Sequence, residues 1–103
     1  MAESTEKLAE DVRQRLFPEL RAGQFAPQSN WADLGQLIVA LEADGMYLMT
    51  NSAVAPALKR IAAFHRSTAT GFPCAGSSEW GPFASHGEAV LRAAHAALFP
   101  RRS

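Results

Sequence analysis

The run Met46-Tyr47-Leu48-Met49-Thr50-Asn51 constrains this chain more than any other part of its sequence. It follows Gly45 directly, and it is too short and too evenly apolar for another helix, so it reads as a buried strand. A strand carries a row of backbone amides and carbonyls that must find partners. One strand, or one hairpin, is marginal in water. The remaining sequence therefore has to supply a sheet, and that requirement decides how the less clear segments are read.

Three helices are legible around this run. Leu8, Val12, Leu16 and Leu20 recur at a spacing of four, with Glu6, Glu10, Asp11, Arg13 and Arg15 largely off that stripe. This predicts an amphipathic helix from Thr5 to Phe17, capped by Ser4 or Thr5, within an N-terminal amphipathic segment spanning 5–20. Pro18 ends or kinks it, because proline has no amide proton. Ser29-Asn30-Trp31-Ala32-Asp33 is the strongest helix start in the chain. Asn30 or Ser29 can accept from the free first-turn amides, and Asp33 complements the helix dipole. Trp31, Leu34, Leu37, Ile38 and Leu41 follow at helical spacing, and Gly45 lies where glycine takes a left-handed cap most easily, so the helix runs from Trp31 to about Asp44. Ser85-His86-Gly87-Glu88 is a capping box opening a last helix, His86 to Phe99, with Val90, Leu91, Ala94, Ala97 and Leu98 inward.

Ala53 to Arg66 reads two ways: as a helix with Ala57, Leu58, Ile61, Ala62 and His65 on one face, or partly as a strand with alternating sides. The needs of the Met46 run favour strands near Ile61–Arg66 and Phe72–Cys74, joined by a hairpin loop over Ser67–Gly71. Ala75 to Ser85, rich in Gly, Ser and Pro, reads as a loop. The expected fold class is α+β: a small antiparallel sheet of about three strands packed with helices, with an N-terminal helix added. An all-α small bundle is the alternative. With 103 residues and 48% hydrophobic content, the chain is expected to be one domain, 1–103, with a helix-sheet-helix core over 29–99.

The single cysteine, Cys74, excludes an internal disulfide framework. No basic leader followed by an apolar run is visible, and no apolar stretch is long enough to span a membrane, so a cytoplasmic location is expected. Ten Lys and Arg against ten Asp and Glu argue against an overall nucleic-acid binder and against an acidic mimic of nucleic acid. The halves differ, however. Residues 1–50 hold eight acids and four bases, whereas residues 51–103 hold two acids and six bases. That pattern permits two opposed charged surfaces, or two halves that neutralise each other in the fold. His65, His86, His95 and Cys74 lack metal-ligand spacing, and no phosphate-cradling or dinucleotide motif occurs, so neither metal nor cofactor is expected. A Cys74–His pair could do nucleophilic chemistry, but no local motif supports it, and free cysteines are more often small buried hydrophobes. A non-enzymatic protein is expected.

Lys59, Arg60 and Arg66, near Phe72, Trp80 and Phe83, form the one neighbourhood that combines basic and aromatic residues. These six are the candidate partner-binding residues. A protein interface uses such types as anchors, a nucleic-acid site would place cations on phosphates and rings on bases, and Trp80 and Phe83 would also serve as core anchors. The uncovered stripe of the first helix is a candidate homodimer face.

Ser29-Asn30-Trp31-Ala32-Asp33-Leu34-Gly35-Gln36-Leu37-Ile38 resembles the first helix of the phage ABA sandwich domain family, small phage and prophage accessory proteins. The likeness continues in Gly45-Met46-Tyr47-Leu48 and resumes at Glu88-Ala89-Val90-Leu91-Arg92-Ala93-Ala94, covering about residues 29–99 with the middle unsupported. Family members usually carry a tryptophan in the central hairpin, whereas the candidate here is Trp80, close to the last helix. The resemblance implies a small antiparallel sheet covered by helices. It also implies stoichiometric binding to a host protein or protein–nucleic acid complex, with inhibition of a host defence complex such as CRISPR–Cas as the concrete form. A small nucleic-acid-binding regulator using the basic second half is the alternative.

Overall fold

The computed structural model describes residues 4–52, 60–78 and 85–99. Local chemistry sets most element boundaries. The Ser4 hydroxyl accepts from the Lys7 amide at 3.2 Å, and α1 runs Thr5–Leu16, ending just ahead of Pro18. Asn30 Oδ1 accepts from the Ala32 and Asp33 amides and opens α2, Trp31–Ala43. Gly45 then adopts φ 83°, a left-handed conformation that a side chain would strain, and turns the chain from α2 straight into β1, Met46–Ser52.

β1 pairs antiparallel with β2, Arg60–Arg66, in unbroken register from Met46 opposite Arg66 to Ser52 opposite Arg60. β2 pairs antiparallel with β3, Cys74–Ser77, giving the order β1-β2-β3. The last helix, α3, runs His86–Leu98. Its cap residue Ser85 accepts from the Glu88 amide at 3.1 Å and donates to the Gln28 carbonyl at 2.8 Å, so one hydroxyl both starts α3 and ties it to the loop ahead of α2. The fold is therefore the α+β arrangement expected, and the sheet excludes the all-α bundle. Strand structure holds over Ile61–Arg66, while Ala53–Lys59 lie outside the described residues.

The third strand corrects the sequence reading. It runs Cys74–Ser77 rather than Phe72–Cys74. The Pro73 carbonyl accepts from the Arg66 amide at 2.9 Å, but proline has no N–H to return. The residues read as loop, Ala75 and Gly76, are small because α3 lies directly on them. A Cβ at Gly76 would sit 2.7 Å from backbone atoms of both Ala96 and Ala97.

One core joins every element. α3 packs on β2 and β3, α1 lies along α3, and α2 sits against β1 and α3. Val12, Leu37, Leu41, Met46, Phe64, Val90 and Leu91 are fully buried in it. Leu8 and Val12 of the α1 stripe are buried, and Leu16 and Leu20 pack against the same core, so the stripe expected as a homodimer face lies inside the protomer.

Candidate interaction face

Strand alternation sorts the sheet into two faces. Met46, Ala62 and Phe64 are buried beneath it. Tyr47, Met49 and His65 take the opposite parity, with Tyr47 paired to His65 and Met49 to Ala63. Tyr47 is 45% and Met49 61% exposed. The His65 ring reaches the Phe72 carbonyl through Nδ1 at 2.9 Å; because a carbonyl only accepts, Nδ1 carries the proton. This bond holds Phe72, 64% exposed, beside the same outward face. Arg66 closes β2 at the same end. Its guanidinium donates to the Asp44 carbonyl at 3.1 Å and lies 3.6 Å from the Asp44 carboxylate.

Of the six sequence-predicted contact residues, Arg66 and Phe72 are thus brought together. Arg60 begins β2 and Arg66 ends it, so their backbones stand roughly 20 Å apart along the strand. Lys59, Trp80 and Phe83 lie outside the described residues.

Four residues depart from the sequence reading. Tyr47 and Met49 belong to a strand read as buried, yet both are exposed. Trp31, read on the inward stripe of α2, is 78% exposed. It lines a groove of about 540 Å³ with Phe17, Ala32, Gly35 and Val39. Cys74, expected as a buried hydrophobe, is exposed. It is the register partner of His65, and no hydrogen bond joins ring and thiol.

The two halves of the sequence meet electrostatically. Asp11 of α1 accepts from His95 of α3 at 3.0 Å and from Lys7 at 2.7 Å, and Asp44 engages Arg66. The Asp11 carboxyl is held below its ordinary range, first by the Lys7 hydrogen bond and then by that from His95. Among the described residues no three His, Cys, Asp or Glu side chains cluster as metal ligands, and no helix is long and apolar enough to cross a membrane. Neither family models nor curated proteins nor solved structures give any match to this chain.

Proposed function

We propose that this chain is a small stoichiometric binding protein that docks on a protein partner through its outward sheet face. The observation carrying this reading is the pair Tyr47 and Met49, large exposed apolar side chains on one sheet face, with exposed Phe72 tied beside them through the His65 ring. Aromatic residues, Met and Arg are the types enriched where proteins meet. His65 supplies a polar group on this face, and Arg66 lies at the same end of the sheet on the parity of Phe64; each is already held in position by a bond within the fold. Arg66 closes β2 at the end of this face and is already engaged by Asp44, which favours a protein partner over a phosphate backbone. Lys59, Arg60, Trp80 and Phe83 belong to the same proposal as further contacts. The resemblance to phage ABA sandwich proteins supports a host partner in the cytoplasm, with a defence complex such as CRISPR–Cas occluded rather than chemically altered.

The test is capture of purified host defence complexes on immobilised protein at physiological salt. Wild type and Trp31→Ser should retain the partner, and the double variant Tyr47→Ser, Phe72→Ser should lose it. Retention by the double variant, or no specific capture by wild type, refutes the proposal. Binding that collapses steeply as salt rises would replace it with the nucleic-acid reading.

A further inference from the structure

The outer edge of β1 carries an inference that does not depend on the binding role just proposed. The Ser67 amide donates to the Gly45 carbonyl at 2.8 Å, one step beyond the Met46–Arg66 pair. In an antiparallel ladder, directly bonded pairs alternate with non-bonded ones. Gly45–Ser67 being bonded makes Tyr47–His65 and Met49–Ala63 bonded as well. The amides and carbonyls of Met46, Leu48, Thr50 and Ser52 therefore point away from β2. The other side of β2 agrees with this parity: the Arg66 amide and the Ala62 carbonyl are engaged on the β3 side. Among the described residues, no backbone partner meets the outward row of β1.

Proteins blunt such edges with charge, proline, a bulge or shortness. β3, the opposite edge, is four residues long and its pairing with β2 is bulged. β1 has none of these devices: it is seven residues long, uncharged, free of proline and unbroken in register. What fits a row of alternating donors and acceptors is another extended strand. An uncharged strand meets its own copy without repulsion, and a two-fold axis needs only that one strand serve both sides.

We infer that β1 is the pairing edge of a symmetric dimer, in which β1 of a second copy adds antiparallel and the two sheets become one of six strands. Full overlap of Met46–Ser52 bonds Met46 to Ser52 and Leu48 to Thr50 of the other copy. It places Met49 against Met49 on the two-fold axis as a non-bonded pair, with Cα atoms about 4.5 Å apart. The outward faces of both protomers then form one continuous surface.

Three proteins test this. Wild type should dimerise by light scattering as concentration rises. Thr50→Pro removes an amide that β1 does not use toward β2, so it should keep the wild-type circular dichroism spectrum yet need about tenfold more protein to dimerise. Met49→Cys in a Cys74→Ser background should form a disulfide dimer under mild oxidation, since the separation is within disulfide reach. It should do so far faster than Glu42→Cys in the same background. If Thr50→Pro unfolds, Met49→Lys takes its place, setting like charges together on the axis. A wild-type monomer at every concentration overturns the inference, as does a dimer indifferent to the edge variant, or Met49→Cys no faster than Glu42→Cys. Partner capture plays no part in these readouts, so this inference and the proposed function fail separately.

Discussion

Two alanine substitutions of identical chemistry are expected to move stability in opposite directions. At Gly76 the new methyl would lie 2.7 Å from the Ala96 carbonyl carbon and the Ala97 Cα, and closer still to the Ala97 amide nitrogen. Comfortable carbon contacts need about 3.5–4.0 Å. The obstacles are helix backbone, which has no side-chain rotamer to yield, so α3 must lift by roughly 1 Å from the sheet it covers. Overpacking of this kind costs about 1–3 kcal/mol. The reduced freedom of the unfolded chain offsets about 0.4–1 kcal/mol, leaving Gly76→Ala about 1–2 kcal/mol less stable than wild type. Gly35, in α2, has nothing within 4 Å of a built Cβ. Replacing a helical glycine there should stabilise by about 0.5–1 kcal/mol. At about 4–8 °C per kcal/mol for a domain of this size, the melting temperatures should diverge by roughly 10 °C. Thermal and urea unfolding followed by circular dichroism gives both numbers. A Gly76→Ala protein as stable as wild type would refute the close approach of α3 to β3.

Two further outcomes follow from the charges. Asp11 and Glu10 are both held below their ordinary values, by hydrogen bonds from Lys7 and from Arg13 respectively as the leading causes. Their stabilisation is complete above the unfolded carboxylate range and is lost as pH falls through the lower folded values. Urea midpoints should therefore drop below about pH 4, less steeply in Asp11→Asn, and an unchanged acid limb in that variant would contradict the assignment. Arg13 is only 9% exposed, forks onto Glu10 at 2.9 and 2.6 Å and donates to the Leu20 carbonyl. Arg13→Met keeps the stem but strands that carbonyl, and should cost about 1–3 kcal/mol in urea unfolding; a neutral result would show that the bond to Leu20 contributes nothing.

Much of the fold was legible because its boundaries are written in local chemistry. Ser4, Asn30 and Ser85 each cap the helix that follows, and Gly45 takes the left-handed turn its position suggested. What stayed hidden depends on distant neighbours. Ala75 and Gly76 look like loop residues until α3, some twenty positions later, is seen to rest on them. Arg13 lies among exposed charges in the helical pattern, and only the returning chain at Leu20 explains its burial. Trp31 fits the spacing of the inward stripe but stands about a quarter turn from the midpoint of Leu34, Leu37 and Leu41. For the candidate face, Phe72 was found from composition, as was Arg66 at its end, while Tyr47 and Met49 were concealed by the even hydrophobicity of β1. A strand in a sheet covered by helices on one side should alternate. Its failure to alternate was itself the signal of an apolar outer face.

The position of α3 as the element that touches α1, α2, β2 and β3 has a kinetic consequence. A growing chain that has not yet reached His86 holds the inward faces of all four with no common element to close over them. Local turns and caps can form early, but the contacts that hold them together span most of the sequence. Such non-local closure is slow compared with folding of a helical bundle. The nascent chain therefore passes through its most adhesive state before α3 emerges, with the β1 edge already present, and packing of one alanine-rich helix ends that exposure.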